Sequence, residues 1–495
     1  MKASRKSVLP FAAALALAGC TVFTVGPDYE RPEVKDPAVA PPDAGCPTTN
    51  KTETGEIKPA DAGEDARKPL TRDMLARWWA SFDDPVLAEL VDRAVTNNLT
   101  YLMAQQRLLQ ARWQYKGSAA DLLPHVAAQG SATINEYGSK TPTGSSAGRH
   151  LHTDRFSGGF DASWEIDIFG GVNRQIEASR RAVYAAGYDV ESAWVSLTAE
   201  IGAQYVNLRT VQRRLKVARA NLKLQAETYD LLAERFGSGI GDKLAVSQSK
   251  YILEQTRAQI PLLIADEEAL VNALEILAGA MPGTLHGLLL PCPDREWLLE
   301  PQKLESIPLD MMRARPDVMA AEQRLAAQVA AVGVAKSMYF PKLHLNGTLG
   351  LESAKFDNVF HRPALVGSIG PSLSWPIFQG GAIYANVKTE ESRMAEAVMG
   401  YELAVQKAFA ETRNAYAAYT RQYHRHQSLE AAVKAAQEAA TIAQDLYTSG
   451  LADFNNVLDA QRSLLSLEEA LAVSNGQITV NLIALYKALG GGIAR

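Results

Sequence analysis

The chain states nearly the same pattern twice, about 210 residues apart, and that repetition restricts it to a body built from two like halves. Ala104-Gln105-Gln106-Arg107-Leu108 leads to Leu123-Pro124, and Ala321-Glu322-Gln323-Arg324-Leu325 leads to Phe340-Pro341 in the same register. Phe169-Gly170-Gly171 returns as Phe378-Gln379-Gly380-Gly381, and Ser238-Gly239-Ile240 as Ser449-Gly450-Leu451. Each half reads as a short helix, two alternating strands and a very long Ala-rich helical hairpin. A length of 495 residues would allow several compact domains; the repeat argues instead for one elongated body.

The strands decide the solvent. Phe156, Gly158, Phe160, Ala162, Trp164, Ile166 and Ile168 share one face; Ser157, Gly159, Asp161, Ser163, Glu165 and Asp167 share the other. Leu343, Leu345, Gly347, Leu349 and Leu351 alternate with His344, Asn346, Thr348, Gly350 and Glu352. Val126 to Asn135 and Ile369 to Ile377 keep the same rhythm more weakly. Period-two alternation over ~10 residues is the pattern of a transmembrane barrel with a polar lumen. One such strand would fit a soluble antiparallel sheet equally well; pairs in both copies, with no complementary apolar helix face nearby, point to the membrane. Trp164 and Trp375 then fall near an interfacial girdle. Two strands per copy give about four per chain, too few to close a barrel, and three copies would supply roughly twelve. No segment approaches the roughly 20 continuous apolar residues of a membrane helix, so a bilayer can be crossed only as a closed barrel.

The helices carry the mass. Val172 to about Phe236 and Ala382 to about Tyr447 run without Pro, each on the order of 100 Å at 1.5 Å per residue. Leu208, Val211, Leu215, Ala218, Leu222, Gln225, Tyr229, Leu232 and Phe236 step by three and four, as do Val398, Tyr401, Val405, Ala408, Thr412, Ala415 and Tyr419, which predicts a narrow seam against a neighbouring helix. Gly237-Ser238-Gly239-Ile240-Gly241 and Ser449-Gly450-Leu451-Ala452 mark the turns. Pro261 is expected to kink or split the first return limb. Asp83-Asp84-Pro85 reads as a helix start, and Trp78-Trp79 as anchors.

At the N-terminus Lys2, Arg5 and Lys6 precede a short apolar stretch, Val8 to Ala18, and then Leu17-Ala18-Gly19-Cys20 resembles a bacterial lipobox, in which the Cys20 thiol accepts a diacylglycerol. Thr21 at the next position is similar to lipoproteins sorted to the outer membrane. Cys46 and Cys292 remain, either as a disulfide or as two free thiols.

A formal charge of −5 and the lack of a basic stripe give no reason to expect nucleic acid. No catalytic constellation, cofactor loop or metal set is found, and no enzyme is expected. His150 and His152 lack Cys or carboxylate spacing, His424 and His426 fall on different helix faces, and Ser247-Gln248-Ser249-Lys250 reads as helix surface.

Together these parts resemble the TolC-type outer-membrane factor family, in its NodT-like and OprM-like lipoprotein branch. The carriers are Cys20 with Val25-Gly26-Pro27-Asp28-Tyr29-Glu30-Arg31-Pro32, Trp78-Trp79, Arg315-Pro316-Asp317-Val318, and Ser374-Trp375-Pro376-Ile377-Phe378. The resemblance implies a mixed fold: a homotrimer with a twelve-stranded transmembrane β-barrel, four strands per chain, continuous with a periplasmic α-helical coiled-coil barrel. It implies a passive outer-membrane exit duct, anchored by lipid, that docks a periplasmic adaptor and an inner-membrane transporter. Adaptor docking maps to Ser238, Gly239, Ile240, Ser449, Gly450 and Leu451, which are turn residues in any case. A periplasmic gate maps to Asn456-Val457-Leu458-Asp459, where Asp459 keeps one acid of the family segment and Asn456 departs from the other; a solvated helix-surface Asp is the plainer alternative. A rival assignment is a lipidated periplasmic adaptor, which would have one hairpin rather than two.

The resulting division is a signal peptide over 1–19, an extended linker over 20–72, a first repeat over 73–290 (strands 124–136 and 155–168, hairpin 172–279), a linker over 291–308, and a second repeat over 309–495 (strands 341–352 and 366–378, hairpin 382–490).

Overall fold

The computed structural model describes residues 24–32, 75–138, 140, 151–239, 241–291 and 312–492. Cys20, Cys46, Cys292, Ile240, His150, the signal peptide and nearly all of both linkers lie outside the described residues.

The first repeat contains α1 (Pro85–Asn97), α2 (Leu99–Ala120), β1 (His125–Tyr137), β2 (Leu151–Ile166), α3 (Gly171–Gly237) and α4 (Lys243–Leu277). The second contains α5 (Pro316–Ser337), β3 (Lys342–Ser353), β4 (Leu365–Ser374), α6 (Ala382–Thr448) and α7 (Phe454–Ala488). Compact packing does not follow the repeats. One unit gathers the described parts of residues 1–33, 107–186 and 320–401, and the other those of 34–106, 187–319 and 402–495.

In the first unit the strands form one antiparallel sheet in the order β1-β2-β3-β4. Phe160 stands opposite Ala128 on one side and Leu349 on the other, and the same register puts Val126, Ala162, Gly347 and Ile369 in one row across the four strands. The structure moves several strand ends. β2 begins at Leu151, within the stretch read as loop, and stops at Ile166. Asp167 is therefore not on the strand; its Oδ2 accepts from the backbone N and the Nδ2 of Asn173, both at 2.8 Å, at the start of α3. β4 ends at Ser374 rather than at residue 378, just before Trp375-Pro376, where the ladder loses a donor.

In the second unit Asp84 caps α1 through Val86 N and Leu87 N, with Pro85 at the first helical position. Leu87, Leu90, Val91 and Ala94 are buried. Trp78, 1% exposed, meets Phe82 edge-on at 5.8 Å and stacks on Tyr486 at 6.0 Å. On α3, Leu208, Val211, Leu215, Ala218 and Leu232 are buried as the seam predicts, whereas Phe236 is exposed. Leu232 packs with Ile252, Phe454 and Val457. Contrary to expectation, Pro261 does not split α4, which runs unbroken through it. Pro261 and Arg257 are both exposed residues.

Candidate functional site

Two surfaces carry the candidate function: the faces of the sheet and the tips of the hairpins. On the sheet, Val126, Ile134, Phe160, Leu349, Ile369 and Leu373 all point to one side and are 59–81% exposed. Glu136, His152 and Asp154 fall on this side only at the loop end, where His152 pairs with Asp154 at 2.9 Å; the rest of so extensive an apolar face suits hydrocarbon rather than water. The opposite face is polar and internally bonded. Ser131 pairs with Ser157 at 2.8 Å, Ser163 donates to Asn346, Asn346 donates to Ser372 at 2.8 Å, and Thr348 pairs with Ser368 at 2.8 Å. Arg155 makes a two-pronged bond to Glu352, both contacts at 2.8 Å, and Lys342 reaches Glu165. β1 and β4 are the edge strands.

At the start of each strand pair the two repeats place the same device. Trp164 Nε1 donates to Leu122 O at 2.9 Å, and Trp375 Nε1 donates to Tyr339 O at 3.0 Å. Trp375 is 58% exposed, as an aromatic at a membrane–water boundary would be.

The strap over residues 24–32 belongs to the same unit. Arg174, 5% exposed, binds Val25 O and Gly26 O and forms ion pairs with Asp28 and Glu177 at 2.7 and 2.8 Å. Tyr29 donates to Glu322 at 3.1 Å, and Arg31 pairs with the same carboxylate. Burial and the neighbouring Glu322 charge push the Tyr29 hydroxyl well above its ordinary pKa, so it stays protonated and remains a donor. The sequence flagged the strap but not Arg174 or Glu322, because bonds spanning more than a hundred residues leave no local periodicity.

The tips form identical turns as far as both are described. Gly239 N bonds Phe236 O, and Gly450 N bonds Tyr447 O; Leu451 N then reaches Leu446 O, completing a Schellman motif. Gly239 and Gly450 have φ of 77° and 73°. Ser238 and Ser449 are exposed, the Ser449 hydroxyl donates to Asp445 O at 2.8 Å, and Leu451 is 77% exposed. Asn456 and Asp459 sit on the solvent face of α7's first turns. The Asp459 carboxylate lies 3.6 Å from Arg462, and that guanidinium covers the Tyr251 ring at 5.1 Å. Arg462 is a neighbour the sequence reading missed, although its three-residue spacing from Asp459 on a helix makes such a pair available.

Other candidates separate. His426 is buried and His424 exposed, on different faces. Ser249 is buried while Ser247 and Lys250 are exposed. Among the described residues, no group of three His, Cys, Asp or Glu is placed to hold a metal ion, and no helix is long and apolar enough to cross a membrane.

A family model described as outer membrane efflux protein matches residues 90–280 and 310–491. The chain is 28% identical over 486 residues to the cation efflux system protein CusC of Escherichia coli O6:H1, covering 98% of each. It is 31% identical over 421 residues to the outer membrane protein OprJ of Pseudomonas aeruginosa, covering 84% of this chain and 86% of that one. The solved structure of the outer-membrane channel OprN superposes with a TM-score of 0.82 at 33% identity, over 95% of this chain and 99% of its own.

Proposed function

The chain belongs to the outer membrane efflux protein family, whose members are outer-membrane exit ducts, and from that premise we propose how its parts divide the work. Three copies join their four-stranded sheets edge to edge into a barrel of about twelve strands. The apolar face meets lipid and the bonded polar face lines the water-filled lumen. The observation that carries this reading is the sheet itself: one face apolar below its loop end, the other polar and cross-linked, with an open edge at each side.

The duct is passive. The hairpin tips at Ser238-Gly239-Ile240 and Ser449-Gly450-Leu451 receive a periplasmic adaptor, which links the duct to an inner-membrane transporter; Ser238, Gly239, Ser449, Gly450 and Leu451 are exposed. Asp459 and Asn456 form the periplasmic gate, and the partial charge offset by Arg462 moderates the repulsion of three symmetry-related carboxylates. Cys20 carries the lipid; three residues separate it from Thr24, where the docked strap begins, so over four residue steps the anchor is tethered within roughly 14 Å of that point.

Planar-bilayer recording of the full-length protein tests the assignment. Discrete channels from a heat-modifiable trimer are the expected result. Asp459→Ala should raise basal current or lower cation preference, and no change in either removes Asp459 from the gate. A lone copy that stays folded without detergent overturns the whole reading.

A further inference from the structure

Toward the loop end of the sheet, the apolar face is interrupted by a groove of about 840 Å³, within the roughly 300–1,000 Å³ range of small-molecule sites. Gly130 and Gly158 stand opposite each other and form its floor. Phe156, Phe160, Leu351 and Phe360 wall it. The last comes from the β3–β4 connection, which is held over the groove by edge contacts of Phe356 with Phe156 at 5.7 Å and with Phe360 at 6.1 Å.

The two floor glycines are not required by the backbone. A Cβ on Gly158 would meet nothing nearer than Gln129 O at 3.9 Å, and one on Gly130 nothing nearer than Ser157 O at 4.0 Å. The adjacent Gly159, on the polar face, differs: its Cβ would stand 2.6 Å from Gly350 Cα. Strand packing thus explains Gly159 and leaves the Gly130–Gly158 gap unexplained by the fold. On the connection that supplies the aromatic wall, Lys355 and Arg362 are exposed, with one acid, Asp357, between them; on the strands at the same end, Asp154 is paired with His152 at 2.9 Å and Glu136 stands opposite His152.

We infer that this groove binds one acyl chain of an anionic phosphorylated lipid of the outer leaflet, with Lys355 and Arg362 meeting its headgroup. An apolar slot opening onto the lipid-facing surface, with Lys355 and Arg362 on the segment that walls it, matches an amphiphile of that charge. The inference rests on the membrane placement of the sheet proposed above.

The test is native mass spectrometry of the full-length, detergent-solubilised protein incubated with dimyristoyl phosphatidylglycerol or dimyristoyl phosphatidylcholine. The oligomer mass reports the trimer, and the adduct count, in the same spectrum, reports the groove. Wild type should retain one phosphatidylglycerol per protomer in preference to phosphatidylcholine. Gly158→Leu, which fills the floor, should cut retention by about tenfold, and Lys355→Gln with Arg362→Gln should bring the two lipids to within about twofold. Phe360→Ala, which opens the wall, should also lose the adduct and serves if Gly158→Leu does not assemble. A trimer of Gly158→Leu or Phe360→Ala that retains lipid as wild type does overturns the groove. Equal retention of both lipids by wild type overturns the headgroup assignment.

Discussion

The two repeats keep the same bonds while changing the residues that make them. Ahead of the first strand pair, Asn98 Nδ2 donates to Leu277 O at 2.9 Å, tying the start of α2 to the end of its own return limb. Ahead of the second, Arg315 Nη1 donates to Ala488 O, also at 2.9 Å. Both carbonyls lie at a helix C-terminus, where one more donor satisfies a group the helix cannot. The substitution of Arg for Asn also changes the surroundings: Arg315 pairs with Asp317 and Glu411, each at 2.7 Å. Burial works against its charge, but the two carboxylates outweigh it and hold the guanidinium protonated. The geometry of the closure is therefore what the duplication preserved, and the chemistry was free to drift.

The comparison is broken most severely at the ends of the return limbs. Gly279 and Gly490 both have positive φ, 72° and 76°. A Cβ at Gly279 would lie 2.3 Å from Asn97 O, while one at Gly490 would meet nothing nearer than Arg315 Cγ at 3.5 Å. Gly279→Ala should cost about 3–5 kcal/mol from strain plus clash, and Gly490→Ala about 1–2 kcal/mol from strain alone; denaturant or thermal midpoints of the two variants decide. Equal losses would show that φ alone sets the requirement.

Arg315→Ala should come next, at about 2–3 kcal/mol, since it removes donors from a buried carbonyl and two acids. Asn98→Ala should lose about 1–2 kcal/mol, for one carbonyl and one cap. A smaller contrast sits at the tips. Asp242 caps α4 by accepting from Leu244 N at 3.0 Å, whereas Asp453 makes no side-chain cap on α7. Asp242→Ala should cost about 0.5–1 kcal/mol and speed amide exchange in the first turn of α4, and Asp453→Ala should change its helix by less than about 0.5 kcal/mol.

The subtlest difference is one of pH. Only the first repeat ends its return limb on a buried acid, Glu275, which accepts from Gly283 N at 2.6 Å, Leu285 N at 2.5 Å and His286 Nδ1 at 3.1 Å; the corresponding place in the second holds Tyr486, stacked on Trp78. Burial opposes the Glu275 charge, but these donors win and lower its pKa. Hydrogen bonds donated to Glu268 and Glu275 raise that of His286. The acid's contribution is present above the ordinary carboxylate range and is lost as pH falls through its lowered value; the imidazole's is complete below its ordinary range and is lost as pH rises through its raised value. Protection of the Gly283 and Leu285 amides should thus peak in mildly acidic solution, with no matching peak near Tyr486.

Much of this was legible in the sequence because it is local. Alternation places Phe156 to Ile166 on one face, three-four spacing buries Leu208 to Ala218, and Gly239 and Gly450 announce turns by their need for positive φ. What escaped was nonlocal or compensated. The early start of β2 at Leu151 follows from its pairing with Tyr137 across the connection, not from any alternation of its own. Pro261 reads as a breaker, yet α4 continues through it, with Pro261 and Arg257 both exposed. Asp167 fits the strand's rhythm but is drawn away by Asn173. At the candidate gate, Asp459 was visible as an acid, but the Arg462 charge beside it changes what three copies of that acid would do.

The open edges of the sheet have a genetic consequence. A subunit with β1 and β4 exposed is finished only by its neighbours, so one faulty chain disables a whole ring. If half the chains in a cell carried a lesion at an edge, only about one ring in eight would escape it. A single damaged allele would then behave as dominant, and the sheet's borders, rather than its lumen, would be where such alleles collect.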